Sequence, residues 1–168
     1  MRCYTTFKKS VINSDVASNI YNFLKWNIEW EEGIRSKKGF TRKAKPLNYS
    51  DIKEIDDIID IALISLTNTQ YEKDFIYLNY YENGESFCPN HTHKGTHQLV
   101  ISLGETRTLQ VGKKDYVMEN GDAILFGSSS HGVPKDNSVN GRISIAVFMT
   151  PKDQKQDELI KQFELLNI

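Results

Sequence analysis

The spacing of hydrophobic positions changes near the middle of the chain. Upstream of residue 70 they recur at helical spacing: Val16, Ile20, Phe23 and Leu24 form one stripe, and Ile52, Ile55, Ile59, Leu63 and Leu66 a second. Ser14 and Asp15 are candidate caps for the first helix, expected to run to about Trp26, and Ser50 and Asp51 for the second. From Phe75 onward the period drops to two. FIYLNYY, HQLVISL, RTLQV, KDYVM, AILFG and RISIAVFM read as strands, separated by ENG at 82–84, VGKK at 111–114 and ENGD at 119–122, which carry the Asn and Gly that tight turns require. A last stripe of Leu159, Ile160, Phe163 and Leu166 predicts a short C-terminal helix over roughly 153–166.

Short antiparallel strands preceded by two amphipathic helices predict an α+β, mainly β architecture. It would be a sandwich or barrel with the helices packed on an outer sheet. Residues 31–50, which hold Gly33, Gly39 and Pro46, are expected to form a loop or a short irregular hairpin. A length of 168 residues at 39% hydrophobic content fits one domain over 1–168.

Charge narrows the partners. A formal net charge of −1 gives no global attraction for nucleic acid or an anionic membrane. The local exception is the stretch from Arg35 to Lys45, with six basic side chains and no acid. It fits a solvated surface loop, or, with Trp30, Phe40 and Tyr49 nearby, phosphate contact and stacking on an extruded or single-stranded base. Cys3 and Cys88 lack CxxC spacing, MRCYTTFKKS lacks the apolar region of a secretory signal, and no apolar run reaches membrane-span length. A soluble, cytoplasmic monomer is expected.

The candidate chemistry is concentrated in four histidines. PNHTHKGTH holds His91, His93 and His97, and His131 follows in SSSHGVPKD. In an extended chain His91 and His93 share a face, so their imidazoles can converge on one ion with His131 as a third ligand. Solvated loop histidines are the alternative. His97, opening a strand, reads as structural. Arg142 opens a strand otherwise built from Ile, Ala, Val and Phe, where a guanidinium requires an anion. A small dicarboxylate would serve, and so would a surface ion pair with Asp122 or Glu105.

Taken in order, LNYYENGESFCPNHTH, ISLGETRTLQV, MENGDAILFGSSSHGVPK and GRISIAVFM resemble the core of the AlkB family of iron(II)- and 2-oxoglutarate-dependent dioxygenases. NIEWEEG followed by GFTRKAKPLNY resembles, more weakly, that family's nucleotide-recognition lid. The resemblance implies a double-stranded β-helix, or jelly roll. It implies His91, His93 and His131 as the catalytic metal set for Fe(II), and Asn79, Tyr81, Arg142 and Ser144 as residues that bind 2-oxoglutarate. Arg42 and Tyr49 would be lid residues over the substrate. It further implies that O2 and 2-oxoglutarate are consumed, and that alkylated bases in single-stranded DNA or RNA, or nucleotides, are demethylated or hydroxylated, as in DNA repair. Two departures stand out. His93 occupies the place of the family's aspartate, making HxH of HxD, and Phe148 the place of a second arginine. Lys94 and Gly95 also replace the acidic residues that usually follow. A three-histidine, cupin-like protein acting on a small molecule and an inactive nucleic-acid-binding relative are the alternatives.

Overall fold

A period of two along a strand presents one set of side chains to each face of a sheet, so a strand apolar on both faces must be covered twice. This is how the central strands are placed in the computed structural model, which describes residues 5–33, 35–36, 39–40, 42–137 and 140–153. The elements run β1 (Thr6–Lys8), α1 (Ser14–Asn27), β2 (Arg35–Ser36), β3 (Gly39–Phe40), β4 (Lys43–Leu47), α2 (Lys53–Leu66), β5 (Tyr71–Tyr81) and β6 (Cys88–His91). They continue with β7 (His97–Gly104), β8 (Arg107–Val111), β9 (Lys114–Met118), β10 (Ala123–Phe126), β11 (His131–Val133) and β12 (Arg142–Pro151). One sheet has the order β1-β10-β7-β12-β5-β4 and a second β6-β11-β8-β9, with antiparallel pairing in both.

The larger sheet separates two apolar clusters. Leu78, Ile101, Leu103, Ile143, Ile145 and Val147 face the helices and pack with Ile20, Leu24, Ile55 and Ile59. Their neighbours in sequence, Val100, Ala146 and Phe148, point the other way and join Leu109, Val111, Met118 and Val133 of the smaller sheet. The result is a jelly roll with two helices on its outer face. The expected C-terminal helix lies outside the described residues. Among those residues no helix is long and apolar enough to cross a membrane.

The helix boundaries shift from expectation for identifiable reasons. Asn13, not Ser14 or Asp15, caps α1, because its carboxamide oxygen accepts from the backbone N–H of Asp15 at 2.9 Å and of Val16 at 3.5 Å. Ala17, Ile20 and Leu24 form the buried stripe, leaving Val16 and Phe23 on its flanks, each 46% exposed. α2 starts after Ile52 without a side-chain cap; the Asp51 carboxylate instead accepts from the N–H of Asn48 at 2.7 Å.

Within the segment read as a loop, β4 is a strand. It pairs with β5 from Lys43↔Tyr80 to Leu47↔Ile76 and forms one edge of the large sheet. Pro and Lys weaken a strand signal in sequence, yet both are suited to an edge strand, whose outer row here meets Glu31 in a backbone bridge at Ala44. Lys43 and Lys45 form ion pairs with Glu82 at 2.9 Å and Glu31 at 3.2 Å. The short β2–β3 pairing matches the irregular hairpin expected there.

Arg107 is a structural charge. It is 2% exposed, its Nε lies 2.7 Å from Asp136, and its terminal nitrogens donate to the carbonyls of Asn83, Ser86 and Pro134. These bonds hold the turn after β5 against the segment after β11.

Candidate metal and oxo-acid site

β6 and β11 are too short, and too marked by Pro89 and Gly132, to be read as strands from sequence. Their pairing builds the site. His131 opens β11 directly opposite His91, the last residue of β6, and also pairs with Val111 of β8. His93 follows two residues after His91. One ligand atom from each of the three imidazoles lies within 4.8 Å of the others. Ring centroids are 4.8 Å apart for His91 and His93, 4.4 Å for His91 and His131, and 5.4 Å for His93 and His131.

The backbone fixes which nitrogen each ring can offer. Nδ1 of His91 lies 2.8 Å from the Pro89 carbonyl, and Nδ1 of His131 lies 2.9 Å from that of Ser129. A carbonyl only accepts, so both Nδ1 atoms carry the proton and both Nε2 lone pairs remain for an ion. Burial, reinforced by His91 and then Arg42, lowers the pKa of His93. Burial pushes that of His131 down to about 4, against a partial upward pull from its Ser129 hydrogen bond. His93 and His131 are thus held towards the neutral form, the form that binds iron, zinc, copper or nickel.

A pH dependence follows from His131. Its folded value lies below the ordinary 6.5, so the unfolded chain takes up the proton first as pH falls. The stability tied to the neutral ring is complete above about pH 6.5 and is lost as pH drops towards 4. For the metal-free protein this loss is expected to be on the order of 2 kcal/mol after discounting for solvent screening, read as a falling denaturant midpoint. His131→Leu should flatten the slope; a variant with the same slope as the parent would assign it to other groups.

The imidazoles open onto a cavity of about 440 Å³ between the two sheets. At its other end is Arg142, 1% exposed, in register with Gly104 and Tyr81. Its Nε donates to Ser102 Oγ at 2.8 Å. Neither terminal nitrogen has an acceptor in hydrogen-bonding geometry among the described residues, although Tyr81 stands beside it with its ring centroid 5.4 Å from Cζ. The surface ion pair is not formed: Asp122 accepts from the N–H groups of Ser10 and Glu119, and Glu105 from that of Asn140. Burial lowers the Arg142 pKa to about 10, and Tyr81 opposes that shift. At neutral pH the group remains a cation, enclosed and facing a cavity with no Asp or Glu among its described lining residues.

The other expected residues divide. Asn79 is paired across the sheet with Ser144; its amide nitrogen lies 3.4 Å from Ser144 Oγ and its oxygen accepts from Arg42 Nε at 2.5 Å. Asn79, Tyr81, Ser144 and Arg42 all line the cavity. Tyr49 does not. Its hydroxyl is bound between Asp60 of α2 at 3.0 Å and Lys73 at 2.6 Å, on the helix side of the sheet. Trp30 is likewise packed on Tyr80, at 5.2 Å between centroids, and the Phe40 side chain lies outside the described residues. His97 bonds the Tyr71 hydroxyl at 2.9 Å, away from the cluster.

Sequence reading missed an aromatic wall. Phe148 meets the ring of His93 edge-on at 4.8 Å and stacks at 4.3 Å on Phe75, which lines the cavity while 42% exposed. It also missed Gln98, a buried polar side chain of the same cavity whose only sequence signal is its inward phase on β7.

No family model matches the chain, and no curated protein is similar to it in sequence. Solved structures are similar in fold. The non-heme α-ketoglutarate-dependent epimerase SnoN from nogalamycin biosynthesis superposes with a TM-score of 0.70 at 11% identity, over 89% of this chain and 79% of that one. OsALKBH1 gives 0.68 at 15% identity, over 88% and 98%. The viral collagen prolyl hydroxylase of Paramecium Bursaria Chlorella virus-1, in its 2OG complex, gives 0.64 at 12%, over 88% and 96%. The chain shares its jelly-roll fold with these proteins. An epimerase and a prolyl hydroxylase share it at low identity, so the likeness extends to the fold and does not single out AlkB.

Proposed function

We propose that this chain is a metal- and 2-oxoglutarate-dependent oxygenase. The observation that carries the reading is the enclosed Arg142 guanidinium, without a protein anion among the described residues, in the same cavity as three clustered imidazoles. A buried cation left unpaired is costly, and a planar fork of donors fits a carboxylate. His91, His93 and His131 would hold Fe(II); Arg142 and Tyr81 would take the distal carboxylate of 2-oxoglutarate, with Asn79 and Ser144 lining its path. Iron and the oxo acid supply the oxidative chemistry: O2 and 2-oxoglutarate are converted to succinate and CO2 while a substrate C–H bond is hydroxylated.

The chain's own part is orientation and exclusion of water. Phe148 and Phe126 pack against His93 and His131 at 4.8 and 5.0 Å and limit the rings' freedom to turn. Arg42 and the half-exposed Phe75 support a substrate with an aromatic base and a phosphate, as in the AlkB-type reading of alkylated DNA, RNA or nucleotide. Trp30 and Tyr49 give that reading no support. The three-imidazole set supports a cupin-like reading without an oxo acid, but that reading leaves Arg142 unexplained.

Thermal unfolding with a redox-inert divalent metal separates these readings. Addition of 2-oxoglutarate is expected to raise the melting temperature beyond the shift given by metal alone. With Fe(II), ascorbate and air, succinate should then form, and an N-methylated oligonucleotide should accelerate it if a base is the substrate. A metal shift unaffected by 2-oxoglutarate would leave the cupin-like reading in place.

A further inference from the structure

Gln98 is a second side chain on the cavity wall with an unmet hydrogen-bonding group. It is 1% exposed, it lines the cavity, and its amide nitrogen has no acceptor among the described residues. An apolar side chain of the same size would fill this place on β7 without that cost. Packing alone therefore does not account for a glutamine here.

Its position says what the amide is for. Along the β7–β12 ladder Gln98 is opposite Phe148, Val100 opposite Ala146, Ser102 opposite Ser144 and Gly104 opposite Arg142. Phe148 touches His93, and Phe126, the β10 partner of Gln98, touches His131. Gln98 thus marks the imidazole end. The Arg142 guanidinium is fastened to Ser102, four residues further along β7. At a strand rise of about 3.3 Å per residue, and with side chains standing roughly perpendicular to the sheet, the two donor sets are about 13 Å apart. On the cavity face of these two strands Val100 and Ala146 lie between them. An extended five-carbon diacid, with C–C bonds of about 1.5 Å and a hydrogen bond of about 2.9 Å at each end, also spans about 13 Å.

We propose that Gln98 is a specificity-determining residue for the oxo acid. Its carboxamide donates an N–H to the metal-end carboxylate of 2-oxoglutarate while Arg142 receives the distal one. The inference rests on the oxygenase reading and deepens it. Three imidazole ligands leave the full charge of a divalent ion available to that near carboxylate, so a neutral donor suffices beside it. The carboxamide can rotate about its last bond to direct its N–H into the cavity.

The test is calorimetric titration of the full chain loaded with Mn(II), using 2-oxoglutarate and oxalate as probes. Oxalate carries the metal-end carboxylate and nothing to reach Arg142. Gln98→Leu and the more flexible Gln98→Met are expected to weaken both probes about tenfold. Arg142→Met should weaken 2-oxoglutarate alone. Without ligand, both Gln98 variants should melt at or above the parent, because an unpaired buried group has been removed. Unchanged affinities in the Gln98 variants beside a large loss in Arg142→Met would overturn this inference and leave the oxygenase reading standing. A lower melting temperature with oxalate binding intact would do the same, by making Gln98 a structural residue. A parent protein that binds metal but no 2-oxoglutarate overturns both.

Discussion

His131→Ala is expected to abolish divalent-metal binding. His131 is 6% exposed and lies across the β6–β11 ladder from His91, so removing its ring leaves two half-buried imidazoles on one short segment. A divalent ion at a hundred times its Kd stabilises the folded state by about 2.7 kcal/mol, which for a chain of this size raises the melting temperature by about 5–10 °C. That shift should be present in the parent and absent in the variant. The metal-free variant loses some packing against Phe126, so each protein is compared with itself with and without metal. His93→Asp, by contrast, should retain the shift, since a carboxylate at this position is still a metal ligand and offsets the ion's charge. A full metal shift in His131→Ala would remove the basis for a three-histidine centre.

Arg142→Met carries the second large effect, and its two halves have opposite signs. Binding of 2-oxoglutarate to the metal-loaded protein should fall by about a hundredfold or more, as expected when a bidentate, charge-assisted pair is lost from an enclosed site. The ligand-free protein should be no less stable than the parent, because Met fills similar volume and removes a buried charge without an anion. The bond to Ser102 is lost in exchange. Denaturant midpoints and calorimetry on the same samples read both halves. Loss of stability without loss of binding would mark Arg142 as a structural cation, as Arg107 is through Asp136 and three carbonyls.

The contrast between those two arginines shows why part of the site was not legible beforehand. Both open strands, and both are almost fully enclosed. Which one lacks acceptors among the described residues depends on where the segments after β5 and β11 go, since they bring Asn83, Ser86, Pro134 and Asp136 to Arg107 and, among the described residues, nothing comparable to Arg142. The same applies to aromatic residues near the basic stretch. Tyr49 and Trp30 are close to Arg42 in sequence, but β4 is an edge strand and its neighbours turn to the helix side, where Asp60, Lys73 and Tyr80 hold them.

The sequence by itself determined the parts whose cause is local. Alternation of apolar side chains located β5, β7, β8, β9, β10 and β12, and a 3.6-residue stripe located α1 and α2, because the rise and twist of a chain fix which side chains share a face. It also placed His91 and His93 close together. The tertiary structure decided everything that depends on what lies across a face. The pairing of β6 with β11, two strands too short to reveal themselves, brings His131 to His91; closure of the two sheets leaves Arg142 and Gln98 enclosed in one cavity with donors unmet among the described residues. A periodic pattern records that a side chain points inward, but only the non-local strand pairing of a jelly roll specifies which groups it finds there.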